Sequence, residues 1–82
     1  MTKERVTIRN ATVVETGTDG GHRYLKGECD YAGEVVSVTA LMADKDEEAD
    51  LSDGTHGVSY ESSDFTRGAG LLLSNCRLVK NA

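Results

Sequence analysis

The chain has no proline and no tryptophan, and its 82 residues carry only four aromatic rings, three Tyr and one Phe. Without proline, a linker or a low-complexity tract, nothing divides it, so one domain over residues 1–82 is expected. Long apolar runs are also missing. The longest, Gly70-Leu-Leu-Leu73, falls far short of the ~20 residues of a membrane-spanning helix, so no membrane partner is expected. No apolar signal core precedes the alternating pattern that begins after Met-Thr-Lys-Glu-Arg, and the expected compartment is the cytoplasm. Two cysteines are too few for a disulfide framework and are expected there as reduced, buried thiols.

Positive charge is scarce too. Nine Lys and Arg face fourteen Asp and Glu, a net charge of −5 with a pI near 4.8. That balance opposes the basic field of a phosphate-backbone binder. The apolar set is thin, with eight Val, seven Leu and one Ile. A chain this short buries only about 60% of its unfolded surface, so either a monomer or a homodimer fits.

What is present alternates with a period of two. In Arg5–Val14, residues Val6 and Ile8 and then Ala11 and Val13 form one buried face, with a slip near Asn10 that reads as a bulge. Thr16–Gly21 reads as a hairpin loop, Arg23–Tyr31 as a second strand and Ala32-Gly33 as a turn. Glu34–Ala40 is rich in branched residues and reads as a third strand. Leu41–Asp50 then favours a helix of one to three turns at most, ended by Ser52-Asp53-Gly54. Gly57–Glu61 and Gly70–Lys80 complete five strands, while Glu61–Gly68 reads as a polar loop holding Phe65, either tucked beneath the core or exposed as an anchor. One echo joins two strands: Ile8-Arg-Asn-Ala-Thr-Val-Val14 and Leu73-Ser-Asn-Cys-Arg-Leu-Val79 share a pattern, as strands meeting similar corners would.

The acidic residues are not spread evenly. Asp44, Asp46, Glu47, Glu48, Asp50 and Asp53 lie within ten residues against one lysine. An EF-hand loop needs glycine at its sixth position, and the two frames place Ala49 or Leu51 there. A solvated run of like charges also lacks the shelter that general acid–base work needs. Cys29, Cys76, His22 and His56 stand singly, without the paired spacing of a structural zinc site, and no base is near either thiol in sequence. No metal, cofactor or catalytic residue is therefore expected.

Five strands with a helix between the third and fourth is the order of the OB-fold. The ending Gly70-Leu-Leu-Leu-Ser-Asn-Cys-Arg-Leu-Val-Lys80 resembles the last strand of tRNA-anti-like OB domains, and Asp53-Gly-Thr-His-Gly-Val-Ser-Tyr60 resembles the strand entry before it. The acidic block is more charged than the short helix of that family. The resemblance implies a mainly β, small five-stranded OB-like barrel with one short acidic helix or loop between strands 3 and 4.

The leading expectation is a non-catalytic acidic protein-interaction module of the kind phages and mobile elements use as anionic mimics. It engages a basic nucleic-acid-handling protein through Asp44, Asp46, Glu47, Glu48, Asp50 and Asp53, with apolar contact from Tyr60 or Phe65. The alternative is a single-stranded nucleic-acid binder using Arg23, Tyr24, Lys26 and Tyr31, with Arg5 or Arg9 nearby, although Glu28, Asp30 and Glu34 surround that groove. A small adaptor or structural domain is the second alternative.

Overall fold

The computed structural model describes residues 4–16 and 21–79. In chain order the elements are β1 (Glu4–Glu15), β2 (Arg23–Tyr31), β3 (Glu34–Met42), α1 (Lys45–Ala49), β4 (Gly54–Tyr60), β5 (Ser62–Thr66) and β6 (Gly70–Leu78). They form one mainly antiparallel sheet in the order β3-β2-β1-β4-β6-β5. The sheet closes into a ring because β6 also runs parallel to β3, from Val38↔Leu71 to Met42↔Cys76. Among the described residues no helix is long and apolar enough to cross a membrane.

The strands follow from alternation, and their corners from two asparagines. Val6, Ile8, Ala11 and Val13 face inward along β1, with Ile8 and Ala11 fully within the core. Between them Asn10 adopts φ 53°, and the register slips against both β2 and β4. Asn tolerates that left-handed conformation better than other side chains, which lets one extra residue turn the strand. Opposite the corner stands Gly27, where a Cβ would lie 2.7 Å from the carbonyl oxygen of Arg9. The sequence echo has the same cause. Asn75 adopts φ 54° between buried Leu73 and Cys76, at the register slip of β6 against β3.

The β2–β3 hairpin turns on Ala32 and Gly33, both at positive φ (52° and 83°), with Tyr31 paired to Glu34. Two positive values are the mark of a type I′ turn, whose twist suits adjoining strands. The hairpin expected at Thr16–Gly21 falls mostly on residues outside those described. Its flanks are joined by a hydrogen bond from the Thr16 N–H to the His22 carbonyl at 2.9 Å.

Two segments differ from expectation. The short helix expected within Leu41–Asp50 is Lys45–Ala49, whereas Leu41 and Met42 are strand instead of helix. Leu41 and Met42 stay in β3 because their backbones are held on both sides, by Tyr24 of β2 and Cys76 of β6. Ladder pairing overrides the helix preference of Leu and Met. The run Ser62–Thr66 is a strand, not a loop, making six strands instead of five. It pairs with β6 from Ser62↔Ser74 to Thr66↔Gly70. All five of its side chains are exposed, so no apolar alternation marks it.

The core inside the ring is small and includes Ile8, Leu25, Val38, Val58, Leu73 and both cysteines. Leu51, just beyond α1, adds to it. The ring's two ends are distinct. The Leu78 end of β6 lies beside α1, and the Gly70–Leu71 end beside β5. Seven residues of strand separate Leu78 from Leu71, about 23 Å.

Candidate interaction surfaces

Most of the acidic block is hydrogen-bonded into the fold. The carboxylate of Asp44 caps α1, accepting the Glu47 N–H at 2.9 Å. Glu47 accepts the Leu78 N–H at 3.3 Å and lies 3.6 Å from the Arg77 guanidinium, which also approaches Asp44 at 3.8 Å. Asp53 accepts the Val13 N–H at 2.8 Å. Glu48 is buried, at 9% exposure. Its Oε1 accepts the Arg23 N–H at 2.9 Å, and its Oε2 faces His22 Nδ1 at 3.3 Å.

The expectation of a uniformly solvated acidic run is thus corrected, since four of its carboxylates satisfy backbone N–H groups. These donors come from strand ends and a helix start, places where orphan N–H groups need acceptors. The N–H of Arg23 holds the Glu48 carboxyl below its ordinary pKa; burial pushes the other way, and His22 and Lys45 add to the lowering. A carboxyl kept ionised in this way is a poor proton donor at neutral pH. Asp46 and Asp50 are different. Both are exposed, and neither side chain is paired with another described residue.

Tyr60 and Phe65 do not join this surface. Tyr60 is half-buried against the core, where burial, and then Glu4, raise its hydroxyl pKa. Phe65 is 42% exposed and therefore not a core ring. It stacks on Tyr31 with ring centres 4.9 Å apart and planes 15° from parallel. It sits on β5 opposite Leu71, at the other end of the ring from α1.

The residues of the nucleic-acid alternative are also divided. Tyr24 and Lys26 share the outer face of β2, across from Leu41 and Thr39 of β3. Arg23 has its guanidinium 3.4 Å from Glu15, and Arg9 is paired with Asp30 at 3.0 Å. Arg5 faces β4, opposite Ser59, and Tyr31 lies at the hairpin end with Phe65. A mostly apolar groove of about 370 Å³ runs beside Tyr24, lined by Thr16, His22, Arg23, Leu41, Met42 and Glu48.

No protein-family profile, curated protein or solved structure matches this chain. Its chemistry must be read from its own side chains. Burial pushes the Cys76 thiol up to about 12 and raises that of Cys29, where Asp30 adds to the effect and Arg9 opposes it. Both thiols are fully buried in the core, so neither is a nucleophile at neutral pH. His56 is held by the Ser52 backbone, its Nε2 lying 2.7 Å from that carbonyl oxygen. Among the described residues no group of three His, Cys, Asp or Glu gathers to hold a metal ion.

Sequence reasoning missed Leu41 and Leu72, which are exposed on the outer face of the ring. For Leu72 the signal was present. In a strand with period two, the middle of Leu71-Leu72-Leu73 must point away from its neighbours.

Proposed function

We propose that the chain is a non-catalytic acidic interaction module that engages a basic protein through the helix end of its ring. The observation that carries this reading is the fixed presentation of Asp46 and Asp50. Their neighbours Asp44, Glu47, Glu48 and Asp53 are bonded to the backbone, so two outward carboxylates stand on an anchored segment. Anchoring lowers the ordering cost of binding, and a net charge of −5 steers a cationic partner toward the surface. Blocking a basic nucleic-acid-handling protein by such mimicry is consistent with this arrangement.

An OB-like barrel is the accompanying fold proposal. If β4 and β5 count as one strand bent at Glu61, the element order is three strands, a helix and two strands. That order and the ring closure support the assignment.

The test is capture of a partner from a lysate, followed by association kinetics with the Asp46→Lys/Asp50→Lys variant. Association should slow, and its salt dependence should flatten. Equal rates for variant and parent would remove the reading.

A second reading rests on Tyr24 and Lys26 sharing one outer face with Leu41 and Thr39. One base stacked on Tyr24 with its phosphate near Lys26 is the corresponding complex. It requires oligonucleotide binding at low salt that is lost in Tyr24→Ala and in Lys26→Ala. An oligonucleotide that produces no shift at low salt ends this reading.

A further inference from the structure

The geometry points to β5 as a docking edge for an extended partner segment whose residues alternate between basic and apolar. β5 is the last strand in the sheet order and, among the described residues, is bonded only to β6. Among the described residues no strand pairs with its other edge, whose backbone donors and acceptors suit an incoming strand.

Side-chain chemistry selects the occupant. Successive residues of a strand point to opposite faces, so Asp64 lies on one face of β5 and Phe65 on the other. Asp64 is exposed and has no ion-pair partner among the described residues. Phe65 presents an exposed ring stacked on Tyr31. An incoming strand meets a carboxylate on its first face and a ring pair on its second. Lys or Arg alternating with Val, Ile or Leu satisfies both.

The surrounding charge agrees with this choice. Among the described residues, the carboxylates of Glu4 and Asp64 lie along or next to the edge, with Arg67 just beyond its end. A second copy of the chain fits poorly, because antiparallel pairing centred on Asp64 sets like charges opposite each other. The edge is a different surface from the helix end, since Asp64 pairs with Leu72, about 20 Å along β6 from Leu78. Either proposal can fail without the other.

The experiment uses the full chain, labelled with ¹⁵N, and the peptide Ac-Lys-Val-Lys-Val-Lys-NH₂. Amide signals of Ser62–Thr66 should shift on titration, and amide exchange along β5 should slow. Asp64→Lys should weaken binding about fivefold, and Asp46→Lys/Asp50→Lys should weaken it less. The acidic peptide Ac-Glu-Val-Glu-Val-Glu-NH₂ should produce no shift. Shifts confined to the helix end would overturn the proposal, as would binding insensitive to Asp64→Lys. Concentration-dependent β5 shifts without peptide would also overturn it, in favour of self-pairing.

Discussion

Both ends of the ring carry carboxylates, but the two ends use them in opposite ways. At the helix end, Glu47, Glu48 and Asp53 each accept a backbone N–H from a distant strand, so negative charge is part of the scaffold. At the β5 end the scaffold is backbone geometry. Gly70 at φ 92°, the Ala32-Gly33 turn and a ladder to β6 hold the chain, while Asp64 and Phe65 remain exposed. Local acidity and available acidity are therefore different quantities. A carboxylate that satisfies an orphan donor contributes to stability first, and only its unspent neighbours can recruit a partner.

The largest expected effect tests the backbone side of this contrast. In Gly70→Ala the new Cβ would lie 2.5 Å from the Ser37 carbonyl oxygen, at a φ that alanine adopts poorly. A loss of about 3 kcal/mol in urea unfolding is expected. A loss below about 1 kcal/mol would mean that the β5 end yields easily.

Glu48 tests the other end. Glu48→Ala strands the Arg23 N–H and should lower the melting temperature by several degrees, whereas Glu48→Gln retains an acceptor and should lose less. The folded carboxyl titrates below its ordinary value. Its contribution is therefore complete at neutral pH and is lost as pH falls below about 4.3 through the folded pKa. Stability of Glu48→Gln should accordingly decline less steeply in acid than that of the parent. Parallel acid limbs in melts of the two proteins would contradict this charge role.

Smaller effects return to the β5 end. Ala32→Asn should raise stability by about 0.5–1 kcal/mol, because Asn accepts the left-handed turn position that Ala occupies at a cost. A thermal melt with no gain would place the strain elsewhere. Phe65→Ala should cost only about 0.5–1 kcal/mol, the worth of its stacking on Tyr31. A core-sized loss in chemical denaturation would instead make the ring structural and weaken its use as a docking surface.

Much of this architecture was legible from period and punctuation. Val6, Ile8, Ala11 and Val13 identified the inner face of β1, and the slip at Asn10 identified its bulge. Ala32-Gly33 marked a turn that the structure contains. The legible cases share a local cause: alternation and positive φ are set by neighbouring residues. β5 was not legible, because a strand bonded on one edge with every side chain exposed leaves no apolar pattern. The end of β3 was misread for the converse reason. Leu41 and Met42 prefer helix, but partners from β2 and β6 already held their backbones.

The sequence by itself determined a mainly β domain, its strand period, its asparagine corners and the concentration of charge at residues 44–53. Those properties depend on short-range sterics and composition. Which carboxylates remain available was decided only in the tertiary structure. The donors on Val13, Arg23 and Leu78 come from 25 to 40 residues away in the chain. No pattern inside the acidic run encodes their arrival, because ring closure brings them there.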